Sequence, residues 1–307
     1  MAKHVYGPVP SRRLGRSLGV DLVPLKTCCL NCVYCQLGPT PVTTIERREY
    51  VAADEVVEEV RQRLAEGVPL DYITLAGSGE PTLNSSFGII AERIKRFAQV
   101  PLALLTNGVL FYLPEVRASC ASIDVVIPNL DAGDEATFQR INRPHPGLTL
   151  EKHVQGLAAL RDEFPGEIWL EVFLLAGINS ADSDVQKLKE QIERIRPDRI
   201  QLNTAVRPPA EEFARPVPET RLEQIREMLG PAAEVIADIE ALRKAPEMKA
   251  TTQDVLELLR RRPCTLDDIA SGLCVHLNEA VKYVQQLLKE GKLVEVREGT
   301  RTFFRVR

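Results

Sequence analysis

The sequence predicts an α/β fold, a partial (β/α)6 TIM-type barrel, followed by a small C-terminal winged helix-turn-helix. Between residues 18 and 206, six short apolar runs rich in β-forming residues alternate with amphipathic helical stretches, a pattern typical of a parallel sheet. After a charged, proline-containing stretch, the pattern changes to three short helices and a hairpin. We therefore expect a barrel at 1–235, a linker at 236–250 and a winged helix at 251–307.

Each predicted strand is followed by a polar or glycine-containing cluster. Parallel strands bring their carboxyl ends to one rim, where barrel enzymes carry their active sites, so the clusters predict a site on this rim. Ordinary turn chemistry explains part of the pattern. The predicted strands are 18–23, 72–76, 102–105, 123–127, 168–174 and 199–202, and the predicted helices are 54–66, 88–98, 149–164, 182–195 and 218–230.

Composition and charge narrow the class of protein. Of 307 residues, 44% are hydrophobic and 27% are charged, which is typical of a folded globular protein. The net charge of −4 argues against nonspecific coating of nucleic acid. No apolar stretch approaches the ~20 residues of a membrane span, and the N-terminal residues Met1–His4 are not followed by the apolar core of a signal peptide. We therefore expect a cytoplasmic protein without a membrane partner.

Four of the seven cysteines lie within eight residues, as Cys28, Cys29, Cys32 and Cys35. This clustering and the odd total indicate a metal site rather than disulfides. Thiolates spaced C-x3-C-x2-C can hold three irons of a cubane cluster and leave the fourth without a protein ligand. The alternative is a structural zinc site with Cys29 as fourth ligand, but adjacent cysteines cannot easily face one ion. Cys29 can also substitute for Cys28, although the spacing favours Cys28.

The segment Cys28-x3-Cys32-Val33-Tyr34-Cys35 resembles the signature of radical S-adenosylmethionine (SAM) enzymes. The resemblance implies a 4Fe-4S cluster on Cys28, Cys32 and Cys35, with SAM bound at the open iron. It implies reductive cleavage of SAM to a 5′-deoxyadenosyl radical, in an enzyme of oxidoreductase or transferase type. A reductant such as flavodoxin or ferredoxin is then the expected electron donor.

The other rim clusters resemble the SAM-binding elements of that family. Ser78-Gly79-Glu80-Pro81 is similar to its Gly-Gly-Glu-Pro segment, which receives the methionyl ammonium, with Ser78 in place of the first glycine. The resemblance implies contacts with the ribose or methionyl end from Asn107, Asn129 and Asp131, and contacts with the adenine from Tyr34, Ile178 and Asn203.

A closer resemblance joins residues 6–15, 36–38, 142–147 and 207–211 to the radical SAM subfamily of wyosine-type tRNA synthases, such as 4-demethylwyosine synthase. It implies a substrate that is RNA, tRNA or another nucleoside-containing molecule. Two features depart from that enzyme: no cysteine precedes Cys28 to hold a second cluster, and the winged helix is an addition. Radical modification of a protein or small metabolite, and a non-catalytic iron-sulfur redox sensor, remain alternatives.

Several cationic residues are candidates for the reaction or for substrate binding. Lys26, beside the cysteines, can form an imine with a carbonyl substrate, and Arg143 is a second catalytic candidate. Arginines suit phosphate or carboxylate groups, and the alternative for each is a solvated loop. Basic residues of the tail can contact a nucleic-acid backbone, although appended winged helices also bind proteins. The further cations are Arg12, Arg13, Arg16, Lys282, Lys289, Arg297, Arg301 and Arg305.

Overall fold

The computed structural model describes all residues except 1–3, 12, 237–250, 274, 276 and 300. Nearly all of the predicted linker, 236–250, and the candidate Arg12 therefore lie outside the described residues. Within the described part of the chain, none of the helices has the length and apolar character that a membrane-spanning helix needs.

An eight-stranded, mostly parallel sheet forms the frame of the described residues, with the strands in sequence order. The first strand runs antiparallel to the second, and the others are parallel, as in a partial TIM-type barrel. All six predicted strands are present, but the predicted number was two short. The strands are β1 (Val5–Ser11), β2 (Gly15–Asp21), β3 (Tyr72–Ala76), β4 (Leu102–Thr106), β5 (Val125–Pro128), β6 (Glu167–Leu174), β7 (Arg199–Thr204) and β8 (Ala233–Val235).

Helices cover the outer face of the sheet because each has one apolar stripe. In α6, for example, Val185, Leu188, Ile192 and Ile195 are buried at spacings of three and four residues. The five predicted helices are confirmed to within two or three residues at their ends, and two short helices were not predicted. The helices are α1 (Ala53–Ala65), α2 (Phe87–Lys95), α3 (Pro114–Ala118), α4 (Glu135–Asn142), α5 (Leu150–Glu163), α6 (Asp182–Ile195) and α7 (Glu219–Leu229).

The chain after residue 250 builds three helices and a two-stranded hairpin around its own apolar cluster. The predicted helix starts are present, since Thr251 and Asp254 cap each other reciprocally, as do Thr265 and Asp268. We call residues 251–307 the C-terminal unit. Its elements are α8 (Thr252–Arg261), α9 (Leu266–Gly272), α10 (Leu277–Lys289), β9 (Leu293–Glu298) and β10 (Arg301–Val306).

The C-terminal unit packs against the barrel beside β1. The Arg261 guanidinium lies over the Tyr6 ring, 3.6 Å from its centroid. Arg207 of the barrel pairs with Asp268 at 3.4 Å, and these side chains are only 6% and 12% exposed. The side chain of Val9 in β1 is partly buried and packs against the apolar cluster of the C-terminal unit. These contacts place α8 over the rim where the predicted site lies.

Candidate functional site

The cysteine loop follows β2 and is fixed on one side by the segment after α4. The amides of Asn31 and Val33 donate to the carbonyls of Asn142 and Ile141, at 3.0 and 2.9 Å. The amide of His145 donates to the carbonyl of Cys29 at 2.9 Å. The Asn142–Gly147 motif therefore supports the cysteine loop through its backbone.

The Ser78–Pro81 segment after β3 holds the loop on its other side. The Lys26 amide donates to the Ser78 carbonyl at 2.7 Å, and the Glu80 amide donates to the Thr27 carbonyl at 2.9 Å. A Cβ atom on Gly79 would lie 2.1 Å from the Thr27 carbonyl oxygen. Glycine is thus required by the close approach of two backbones.

The three predicted cluster ligands are partly exposed, whereas Cys29 is fully buried in the core. Each ligand thiol has a polar neighbour: Asn107 Nδ2 lies 3.6 Å from Cys28 Sγ and 3.3 Å from Cys29 Sγ, and Lys26 Nζ lies 3.1 Å from Cys35 Sγ. Asn142 Nδ2 lies 3.5 Å from the remaining thiol, that of Cys32. Burial raises the pKa of the Cys29 thiol well above its usual value. The accessibility of Cys28 therefore favours it over Cys29 as a ligand.

The donor set fits a three-cysteine iron-sulfur cluster. No three His, Cys, Asp or Glu side chains are gathered into a metal-binding group anywhere in the described part of the chain. A cubane binds each thiolate at a different iron, so its ligands stand further apart than those of one ion. Three partly exposed thiols on one short loop agree with such a cluster.

Glu80 lies beneath the rim and joins the ends of β3 and β4. It is 2% exposed, and its carboxylate accepts hydrogen bonds from the Thr82 amide and hydroxyl, the Thr106 hydroxyl and the Asn107 amide. Burial raises the pKa of Glu80, although these hydrogen bonds oppose the shift. The carboxylate thus orders the turns at Thr82 and Asn107, and its expected contact with SAM stays a prediction.

Asp131 positions Tyr34 in a similar way. The Tyr34 hydroxyl donates to Asp131 Oδ2 at 2.5 Å, and Asn142 Nδ2 donates to the same oxygen at 2.7 Å. The Tyr34 ring stacks on Phe173, with centroids 3.8 Å apart and planes inclined by 9°. Burial raises the pKa of Asp131, which is 2% exposed, and desolvation raises that of Tyr34. Asp131 therefore acts on the site through Tyr34 in this structure, and direct contact with the ribose stays a prediction.

A cavity of about 380 Å³, which we call the inner cavity, lies between the rim and α8. It brings together five predicted site residues, two of them cysteines of the proposed cluster. Ile178 packs in the same apolar cluster as Tyr34 without lining the cavity. The five are Cys32, Tyr34, Cys35, Asn129 and Asn203.

The two catalytic candidates lie outside the inner cavity lining. Lys26 has a left-handed backbone (φ 62°), and its ammonium donates to Cys35 Sγ and, at 2.6 Å, to the Gly38 carbonyl. Arg143 also has a left-handed backbone, and its guanidinium pairs with Glu211 at 2.5 Å. These contacts hold loops together, and a catalytic role for either residue stays a prediction.

Sequence reasoning missed Glu171, whose carboxylate lines the inner cavity. It pairs with Arg13 and accepts a hydrogen bond from Asn203 Nδ2 at 2.8 Å. The sequence feature that could have revealed it is a charged residue within the apolar run of β6. A charged side chain is rarely buried without a partner, so this position indicates a buried ion pair. Asn179, fully buried, was also missed. Its side chain bonds the backbone of Asp131 and Phe173.

Comparisons with known proteins agree with this geometry. The Radical SAM superfamily model matches residues 22–192. The chain is 38% identical to a protein named GTPase Obg of Brachyspira hyodysenteriae, over 95% of this chain but 43% of that protein, so it spans less than half of that relative. It is 32% identical to a UPF0026 protein of Methanocaldococcus jannaschii, over 97% of this chain and 94% of that protein.

The fold also resembles that of solved radical SAM proteins. A radical SAM methyltransferase from Sphaerobacter thermophilus aligns with a TM-score of 0.55 at 20% identity, over 71% of this chain and 65% of that one. At this identity the likeness concerns the fold alone. Together with the family match and the cysteine loop beside a rim cavity, it shows that the chain belongs to the radical SAM superfamily, whose enzymes use a 4Fe-4S cluster and SAM.

Proposed function

We propose that this protein is a radical SAM enzyme that modifies RNA, tRNA or another nucleoside-containing substrate. The observation that carries the proposal is the lining of the inner cavity, which combines cluster-ligand cysteines with an excess of arginines. When bound, the cluster supplies the electron that cleaves SAM and releases a 5′-deoxyadenosyl radical. A flavodoxin or ferredoxin is the proposed donor of that electron.

The cysteine loop supplies the cluster site in this proposal. Cys28, Cys32 and Cys35 are the ligands, and the Lys26 ammonium donates a hydrogen bond to Cys35 Sγ at 3.1 Å. The Asn142 amide donates to Cys32 Sγ and fixes its orientation. Such hydrogen bonds to sulfur tune the potential of a cluster.

The wall of the inner cavity supplies the SAM site. The Tyr34 ring, fixed by Phe173 on one face and by Asp131 at its hydroxyl, can hold the adenine. The Asn129 amide lines the cavity and can bond the ribose hydroxyls, since an amide both donates and accepts. Asn203 lines the same cavity and is a proposed adenine contact. The segment of residues 78–80 is the proposed contact for the methionyl end, on the likeness to the Gly-Gly-Glu-Pro segment.

The charges of the inner cavity support an anionic substrate. The described residues of its lining include four arginines and one carboxylate, that of Glu171, although the whole chain carries a net charge of −4. Planar guanidinium groups suit phosphate geometry. A nucleotide is therefore better matched than a neutral metabolite. The four are Arg13, Arg207, Arg261 and Arg262.

We further propose that the C-terminal unit is a winged helix that presents the RNA. Its order of three helices and then a hairpin suits that fold, and α8 places Leu258 and Arg261 in the inner cavity lining. Coverage of the cavity by α8 also limits the access of water to a reactive radical. The likeness to wyosine-type tRNA synthases supports an RNA substrate.

The proposal is tested by comparing RNA from cells that carry the wild-type protein or Cys32→Ala. We expect one modified nucleoside to be absent from the Cys32→Ala cells by mass spectrometry, because this change removes a cluster ligand. A matched Cys120→Ala strain, altered at a buried thiol remote from the loop, should retain the nucleoside. Unchanged RNA, with a protein or metabolite altered instead, would contradict the RNA substrate.

A further inference from the structure

A second and larger cavity, of about 1390 Å³, opens beside the cysteine loop between the barrel and the C-terminal unit. We call it the outer cavity. The barrel contributes the loop after β2 and residues 36–38, which directly follow Cys35. The C-terminal unit contributes the end of α8 and residues 305–307. The outer cavity therefore exists only because the two parts pack together.

The outer cavity is strongly cationic. Among the described residues that line it, five arginines are opposed by the carboxylates of Asp21 and Glu257, so these side chains carry an excess of three positive charges. This excess contrasts with the net charge of −4 on the whole chain. Confined cationic surfaces of this kind concentrate anions. The arginines are Arg260, Arg261, Arg262, Arg305 and Arg307.

Three of these arginines are available to a ligand. Arg261 is already engaged, since its Nε lies 4.0 Å from Asp21 Oδ2 and its guanidinium covers the Tyr6 ring. In contrast, Arg260, Arg305 and Arg307 are exposed, and their guanidinium groups have no ion pair or hydrogen bond with any other described residue. Unpaired guanidinium groups in a concave site are suited to phosphate.

The outer cavity adjoins the inner cavity. Gln36, Leu37, Arg261 and Arg262 line both. A ligand whose phosphates contact the outer arginines can therefore place a neighbouring nucleoside in the inner cavity, beside Cys35. This connection relates the anion site to the site of radical chemistry.

The size and lining of the outer cavity favour a strand over a single nucleotide. Small-molecule sites have volumes of about 300–1,000 Å³, which this cavity exceeds. Tyr50 and Leu25 also line it, and Leu25 is 64% exposed, so apolar surface is open to bases. Proteins that bind single strands combine cationic grooves with aromatic and apolar contacts to bases.

We propose that the outer cavity binds the phosphate backbone of a single-stranded RNA segment whose target nucleoside enters the inner cavity. The inference rests on the proposed function in its choice of RNA as substrate. It goes beyond that function by assigning the phosphate site to Arg260, Arg305 and Arg307.

The test is the binding of a fluorescent oligoribonucleotide to the full-length, cluster-loaded protein, measured by anisotropy over a range of salt concentrations. Each phosphate contact to a single strand contributes about 0.7 to the salt slope, which at 0.1 M salt corresponds to about fivefold in affinity. Arg260→Gln/Arg305→Gln should therefore bind about 25-fold more weakly, with a slope lower by about 1.4. Thermal melting checks that the variant remains folded.

A matched control removes two exposed arginines outside both cavities, as Arg140→Gln/Arg215→Gln. The control should bind RNA like the wild type. Equal affinities for the two double variants would overturn the inference. So would efficient displacement of RNA by an unlabelled nucleoside triphosphate at equal phosphate concentration, because it would assign the cavity to free nucleotides.

The same preparations separate the inference from the proposed function. If Arg260→Gln/Arg305→Gln binds RNA more weakly but the wild type modifies no RNA, the result would support the phosphate site and contradict the proposal that RNA is the substrate of the enzyme. If the wild type modifies RNA but the variant binds RNA as tightly as the wild type, only the assignment of the phosphate site would be overturned.

Discussion

The close approach of Gly79 to the cysteine loop can be tested with Gly79→Ala. The added Cβ would lie 2.1 Å from the Thr27 carbonyl oxygen and 2.9 Å from its carbonyl carbon, and backbone on both sides must shift to relieve the contact. Overpacking of this kind costs about 1–3 kcal/mol. Thr27 directly precedes Cys28, so the same shift should displace a cluster ligand. We expect lower stability together with reduced iron content.

The assays are urea unfolding of the protein without its cluster and iron and sulfide content after anaerobic reconstitution. Gly147→Ala is the matched control, because a Cβ there would meet nothing closer than 3.4 Å, at His145 Nδ1. It should unfold and bind iron like the wild type. If Gly79→Ala also matches the wild type in both assays, our account of the close packing between residues 27 and 79 is refuted.

Four further variants test individual side chains. Cys28→Ser should abolish cluster binding, whereas Cys29→Ser should retain the visible absorbance of the cluster; the reverse result would make Cys29 the ligand. Tyr34→Phe leaves the Asp131 carboxylate without a hydroxyl donor and should cost about 1–3 kcal/mol in urea unfolding, so an unchanged midpoint would contradict the contact. Burial lowers the pKa of His153 to about 4, below its unfolded value, so stability is lost as pH falls from about 6.5 to 4. Between pH 7 and 4 the wild type should lose about 3 kcal/mol more than His153→Gln, and equal losses would contradict this assignment.

The elements predicted from sequence are those with a strong local pattern. The six predicted strands are apolar runs, and α6 shows a complete helical stripe. In contrast, β1 was not predicted, and it contains Gly7, Pro8 and Pro10. Proline is tolerated there because β1 is an edge strand. The three residues of β8 are too few to form a pattern.

The site was predicted where the residues are adjacent in sequence and less well where they meet only in three dimensions. The cysteine motif is local, and its position on the rim follows from the strand order. The pair of Arg13 with Glu171 joins residues 158 positions apart, which no sequence pattern reveals. The placement of Arg261 over Tyr6 depends on how the C-terminal unit packs. The resemblance implied that the segment of residues 78–81 contacts SAM, which stays a prediction, but it did not indicate that Glu80 is buried among four protein donors.

The central claim is that the cysteine loop supports reductive cleavage of SAM. The most direct measurement is 5′-deoxyadenosine formed by the anaerobically reconstituted protein with SAM and dithionite, compared with Cys32→Ala. We predict that the wild type forms the product and that the variant does not. A wild-type protein with full iron and sulfide content that forms no 5′-deoxyadenosine, with or without RNA, would contradict the account and favour an iron-sulfur sensor.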